Sequence, residues 1–214
     1  QVWADIDNVR VRESLGKSIL DDNWTHAYLL VGKRGTGKTT TARLIAKTIN
    51  CTDRKKGEEP CNKCDSCVAI SNWSSMDVIE IDAASHTGVD DIRDLRDKVR
   101  LAPTASKFKV YIIDEVHMLS TSAFNALLKT LEEPPPHVVF VLATTENQKV
   151  PMTIASRCQR LDFARLKLDD IKGQLKKIAQ AEKFEIDDKA LDLVARSAEG
   201  AMRDAISLLD QLVS

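Results

Sequence analysis

Residues 27–49 constrain the fold more than any other stretch of the chain. An unbroken apolar run, Ala27-Tyr28-Leu29-Leu30-Val31, leads directly into Gly32-Lys33-Arg34-Gly35-Thr36-Gly37-Lys38-Thr39. Beyond it Ala42, Ile45, Ala46 and Ile49 recur at i, i+3, i+4 and i+7. The run predicts a strand buried on both faces, the recurrence predicts an amphipathic helix, and the glycines let the backbone curl between them. The loop fits G-x-x-x-x-G-K-[ST]. In that pattern backbone N–H groups cradle phosphate oxygens, Lys38 reaches the β- and γ-phosphates, and the Thr39 hydroxyl ligates Mg²⁺. Gly32, Gly35, Thr36, Gly37 and Thr40 complete the predicted nucleotide-binding set. A glycine-rich turn with a surface lysine is the bland alternative, and the strand before and helix after argue against it.

Three more near-continuous apolar runs follow: Val78–Ile81, Val110–Ile113 and Val138–Leu142. Helical spacing separates them, with Ile92, Leu95 and Val99 in one segment and Phe124, Leu127, Leu128 and Leu131 in another. Ser120 is positioned to cap the second of these, and Pro134-Pro135-Pro136 to stop it. Such alternation predicts an α/β fold with a mostly parallel sheet. After about Leu166 no strand pattern returns. Ile171, Leu175 and Ile178 mark one helix, Leu191, Val194 and Ala198 a second, and Ala205, Leu208, Leu209 and Leu212 a third. Asp187 is the expected N-cap and Gly200 the expected C-cap of the middle one. The division predicted is 1–166 for a nucleotide-binding unit and 167–214 for a small helical one.

Val110-Tyr111-Ile112-Ile113 ends in Asp114-Glu115. A buried strand can deliver Asp114 beside the phosphates to hold Mg²⁺, with Glu115 next to it to polarise the attacking water. Cys51, Cys61, Cys64 and Cys67 form C-x9-C-x2-C-x2-C, which suits a closed, four-thiolate structural zinc in a module spanning about 51–72. Free thiols are the alternative. Cys158 stands apart and is read as a packed residue. Arg203 falls in the first turn of the last helix, where the dipole disfavours a cation, and Arg157 follows the fourth strand. On residues alone each is more often an exposed ion-pair partner than a functional group. Thr144 or Thr145 could set a hydroxyl near the γ-phosphate or cap a loop. His26, His86, His117 and His137 show no ligand spacing and are read as ordinary.

Composition narrows the class. The 214 residues are 43% apolar and 29% charged, with 31 Lys and Arg against 32 Asp and Glu. The net charge of −1 removes any bulk basic footprint, so contact with nucleic acid has to come from local patches. No apolar run is long enough to span a bilayer. Five cysteines, an odd count with four of them clustered between positions 51 and 67, fit a reducing compartment, and the expected location is the cytoplasm. The start on Gln1-Val2-Trp3, without an initiating Met, suggests a piece of a longer chain.

Gly32–Thr39, the four cysteines, Asp114-Glu115-Val116-His117, Ser156-Arg157-Cys158 and Gly200-Ala201-Met202-Arg203-Asp204, in that order, resemble the bacterial clamp-loader ATPases, especially the gamma/tau subunits of DNA polymerase III. Glu80–Ser85 and Leu127–Pro135 share the resemblance, which covers essentially the whole chain. It implies an AAA+ module: a five-stranded parallel sheet with a zinc insert, then a three-helix lid. It also implies roles. Arg157 becomes an arginine finger acting in a neighbour's ATP site, Arg203 the sensor 2 arginine of its own site, and Thr145 sensor 1, with Thr144 as the alternative. ATP, Mg²⁺ and structural zinc are the implied cofactors. The implied partners are delta, delta-prime, further gamma/tau copies, the β sliding clamp and primer-template DNA, with no membrane. A delta-prime subunit shares the insert but generally carries a degenerate phosphate loop. A superfamily-2 helicase, suggested by D-E-x-H, would need a second motor domain. A zinc-organised binding module with a vestigial site is a third alternative.

Overall fold

The computed structural model describes residues 2–6, 8–85, 92, 95 and 98–213. Five strands form one parallel sheet: β1 (Ala27–Gly32), β2 (Val78–Asp82), β3 (Lys109–Asp114), β4 (Val138–Thr144) and β5 (Gln159–Phe163), in the order β2-β3-β4-β1-β5. Parallel neighbours need crossovers, and helices supply them. They include α1 (Lys38–Asn50), α2 (Asp65–Ser71), α3 (Thr121–Glu132) and the single turn α4 (Met152–Ala155). Ahead of β1 lie short helical pieces, Val9–Val11 and Lys17–Leu20, joined through a π-type stretch at Arg12–Gly16.

The central strands read as unbroken apolar runs because both of their faces are covered. On one face Tyr28, Leu30, Val110, Ile112, Val139 and Val141 pack with Ile45, Ala46 and Ile49 of α1. On the other, Leu29, Tyr111, Ile113, Phe140 and Leu142 pack with Phe124, Leu127 and Leu131 of α3. Alternate residues serve opposite faces, as the period of two requires. Ile92, Leu95 and Val99 are helical and buried in this second cluster; most residues around them, and His86, lie outside the described ones. Ser120 caps α3, its hydroxyl accepting the Ala123 N–H at 3.2 Å, and the helix ends at Glu132 before the prolines.

Three further helices complete the chain: α5 (Leu168–Glu182), α6 (Asp188–Ser197) and α7 (Met202–Val213). Ile171, Leu175, Leu191, Val194, Ala205 and Leu209 form their own apolar cluster. Leu212, expected inside, is instead exposed near the end of α7. The C-cap of α6 is Ala198 rather than Gly200, and Asp187 occupies the N-cap without a capping side-chain bond. Gly200 sits at φ 87° and its carbonyl accepts the Leu166 N–H at 3.1 Å. Its left-handed backbone thus serves the joint between these helices and the segment after β5. A second tie joins them to the phosphate loop, where the Gly35 carbonyl accepts the Met202 N–H at 2.9 Å. Among the described residues no helix is long and apolar enough to cross a membrane.

Candidate active site

In an open parallel sheet, ligands settle at the carboxyl ends of the strands, where the connections diverge. Here the loop after β1, the end of β3 and the end of β4 meet at that edge, with β4 lying between the other two strands. A cleft of about 980 Å³ opens there. It is lined by Gly35, Thr36, Gly37, Lys38, Thr39 and Thr40 from the loop and α1, by Asp114 and Glu115 after β3, and by Arg203 from α7. Residues more than 160 positions apart in sequence are thereby brought to one site.

The loop turns through left-handed backbone at Gly35 (φ 74°) and Gly37 (φ 94°), and Gly37 is the N-cap of α1. The helix N-terminus, with its free N–H groups and positive end, therefore opens into the cleft. Lys38 is buried and its Nζ donates to the carbonyls of Gly32 (2.7 Å) and Lys33 (2.9 Å). Burial pushes its pKa down; the Glu115 and Asp114 carboxylates oppose that fall and Arg203 adds to it. The Thr36 hydroxyl braces the loop by donating to the Lys33 carbonyl at 2.8 Å.

Thr39 Oγ1 donates to Asp114 Oδ2 at 3.0 Å. A hydroxyl and a carboxylate at this distance are hard oxygen donors of the kind Mg²⁺ takes, so the residues present fit that ion. Glu115 stands in the left-handed region at φ 47°, ψ 43°. For a residue with a Cβ this costs about 1–2 kcal/mol, and the surroundings hold it there. Its N–H donates to Asp114 Oδ1 at 2.9 Å, and its Oε2 accepts from the Thr145 hydroxyl at 2.9 Å and the Thr145 N–H at 3.3 Å. Of the two threonines it is Thr145 that meets Glu115, whereas Thr144 Oγ1 lies 3.0 Å from His117 Nδ1.

One residue with an expected role lies elsewhere, and one read as ordinary meets the site. Arg157 is not among the residues lining the cleft. Its guanidinium donates to the Thr153 carbonyl and pairs with Glu132 at the end of α3, both at 2.7 Å. His117, read as ordinary, has its ring nitrogens 3.3 Å from the Glu115 and Glu146 carboxylates. Only tertiary structure brings Glu146 there, so no local pattern could have shown it. Val2, Ile6, Leu166 and Ile206, also unforeseen, add apolar lining to the cleft.

The cysteine module lies beyond α1. The sulfurs of Cys51, Cys61, Cys64 and Cys67 all fall within 4.8 Å of one another, with Cys51–Cys64 at 3.9 Å and Cys61–Cys67 at 4.0 Å. A tetrahedral zinc with sulfur at its usual bond length sets those edges at about 3.8 Å. Cys61 Sγ also accepts the N–H groups of Lys63 and Cys64, at 3.4 and 3.2 Å, as a thiolate ligand would. The residues present fit zinc. Cys158 packs against the sheet, and burial pushes its thiol up to about 12.

Known proteins align with both parts of this architecture. The family described as DNA polymerase III, delta subunit matches residues 8–167, and that of the DNA polymerase III clamp loader subunit, ATPase lid domain matches 170–214. DNA polymerase III subunit tau of Bacillus subtilis is 55% identical over 204 residues, covering 95% of this chain and 36% of the relative. The subunit tau of Escherichia coli is 53% identical over 215 residues, covering 100% and 33%. The chain thus spans about a third of the length of these relatives. Among solved structures, a DNA polymerase III gamma subunit-related protein of Thermotoga maritima superposes with a TM-score of 0.56 at 25% identity, covering 88% of this chain and 58% of that one. The RuvB Holliday junction branch migration motor of the same organism gives 0.64 at 20% identity, covering 94% and 59%, a likeness of fold. The two family matches together span the sheet with its cleft and the terminal helices, and the chain belongs to the DNA polymerase III clamp-loader subunits, on the gamma/tau branch.

Proposed function

We propose that this chain is the ATP-binding and ATP-hydrolysing part of a clamp-loader motor subunit. Residues 1–166 form its ATP-binding unit and 167–214 its lid. The observation that carries the reading is the convergence of Lys38, Thr39, Asp114, Glu115 and Arg203 on one cleft. The loop amides and the α1 N-terminus hold the phosphates, and the Lys38 ammonium balances their charge. Thr39 and Asp114 would hold Mg²⁺, which when bound neutralises charge on the β- and γ-phosphates. Glu115 polarises the attacking water, and Thr145 orients its carboxylate. Arg203 reports the γ-phosphate to the lid, whose backbone is already bonded to Gly35. The apolar lining from Val2, Ile6, Leu166 and Ile206 suits a planar base.

Arg157 serves the site of the adjoining subunit. Its absence from the lining of its own cleft and its partial exposure support a role in trans, and its planar fork suits developing phosphate charge. Cys51, Cys61, Cys64 and Cys67 hold a structural zinc. The full-length subunit joins delta, delta-prime and further gamma/tau copies in a cytoplasmic ring. ATP binding favours the state that opens the β sliding clamp on primer-template DNA, and hydrolysis releases it. Lys38→Ala in the full-length chain should abolish ATP binding, whereas Glu115→Gln should bind ATP and lose turnover. Hydrolysis retained in Glu115→Gln would remove that carboxylate from the mechanism.

A further inference from the structure

The ring of His117 is buried beside the cleft, its side chain 6% exposed, in the short 3-10 turn Val116–Met118. Its Nδ1 lies 3.3 Å from Glu115 Oε2 and 3.0 Å from Thr144 Oγ1, and its Nε2 lies 3.3 Å from Glu146 Oε1. Thr144 Oγ1 in turn accepts the Glu146 N–H at 3.0 Å, and Lys149 Nζ holds Glu146 Oε1 at 2.9 Å. One ring thus touches the turn after β3, the last residue of β4 and the loop that follows it. Glu115 is the residue that most needs such support. Its left-handed backbone is adopted only where surrounding structure imposes it. Of its contacts, Thr145 and His117 both converge on the same oxygen, Oε2. Thr145 donates to that oxygen through its hydroxyl and its N–H, and the His117 ring closes on it from a different element, so that together they fix where the carboxylate points.

We propose that His117 is a positioning residue for Glu115: through Nδ1 it holds the carboxylate that polarises the attacking water in its working orientation. The proposal rests on the reading of Glu115 given above. The two ring nitrogens can be separated chemically. The side-chain amide of asparagine stands near the place of Nδ1, and that of glutamine near the place of Nε2, so each substitution keeps one donor and deletes the other.

The test uses the full-length subunit reconstituted with its partner subunits, clamp and primed DNA, with ATP turnover and nucleotide affinity measured separately. His117→Ala should lower kcat about ten- to a hundredfold while KM and nucleotide Kd stay within about twofold, the pattern of a lost transition-state arrangement rather than of lost binding. His117→Asn should recover most of the turnover and His117→Gln should not. Wild-type turnover in His117→Ala, a loss carried by Kd, or recovery by Gln equal to that by Asn would each overturn the proposal. Glu115→Gln assayed alongside separates the two readings. If it keeps turnover, the role given to Glu115 fails. If it is inactive while His117→Ala is fully active, only the role given to His117 fails.

Discussion

Gly35 offers a perturbation whose size follows from the structure. It lies at φ 74°, and a Cβ added there would stand 3.0 Å from the Ala201 Cβ and 3.4 Å from the Arg203 Cβ. The residue therefore sets both the curl of the phosphate loop and how closely the lid approaches it. Gly35→Ala imposes a left-handed conformation on a residue with a Cβ, at about 1–2 kcal/mol. The contact with Ala201 adds about 1 kcal/mol, the low end for overpacking, because the neighbour has to yield only a few tenths of an ångström. Borne by the arrangement that binds nucleotide, the sum of about 2–3 kcal/mol is a roughly 30- to 150-fold loss of ATP affinity. Titration of the full-length chain with a fluorescent ATP analogue reads this directly. Adding Ala201→Gly removes the opposing methyl and should return about 1 kcal/mol, or about fivefold, leaving the backbone part in place. A double variant as weak as Gly35→Ala alone would show that the lid contact contributes nothing, and wild-type affinity in Gly35→Ala would refute the whole reasoning.

Other sites give equally definite expectations. Replacing any of Cys51, Cys61, Cys64 or Cys67 by Ser should remove the single zinc from the full-length chain and lower its melting temperature, as should a strong chelator; metal analysis finding no zinc in the unsubstituted chain would contradict the assignment. Asp77 is buried and accepts the N–H groups of Thr104, Ala105 and Ser106, each at 2.8 Å. Burial raises its pKa, but these bonds outweigh that and hold it below the ordinary carboxylate value. A lowered folded-state pKa means that the stability it contributes is complete above the unfolded value, near pH 4, and is lost as pH falls through the folded one. Asp77→Asn should therefore cost about 1–3 kcal/mol at neutral pH, and denaturant melts should show the difference shrinking in acid.

How much could be read beforehand depended on where each residue sits. The central strands were legible because burial on both faces writes a continuous apolar run, as at Val110–Ile113. β5 left no such trace: at the sheet edge only Leu161 and Phe163 of its five residues are buried. The phosphate loop was legible because its chemistry is local, with glycines, lysine and threonine at fixed spacing around one turn. The four cysteines were legible for the same reason. Lid and loop are joined by a backbone hydrogen bond between Met202 and Gly35, which no side-chain pattern encodes. His117 was passed over because its significance lies in Glu115, Thr144 and Glu146 together, and only the packing of the β3 turn against the end of β4 assembles them. Gly200 misled for a related reason, since a glycine near a helix end reads as its cap, whereas here it turns the chain between α6 and α7 and its carbonyl accepts the Leu166 N–H.

The central claim is that ATP sites are shared between neighbouring subunits, with Glu115 from one and Arg157 from the next. Full-length chains carrying Glu115→Gln or Arg157→Ala, reconstituted with their partners, clamp and primed DNA, test it by ATP turnover, each alone and then mixed. Shared sites should give weak turnover from either variant and recovered turnover from the mixture, because mixed rings pair an intact Glu115 with an intact Arg157 across some interfaces. Full activity of Arg157→Ala on its own would contradict it and leave a self-contained ATPase.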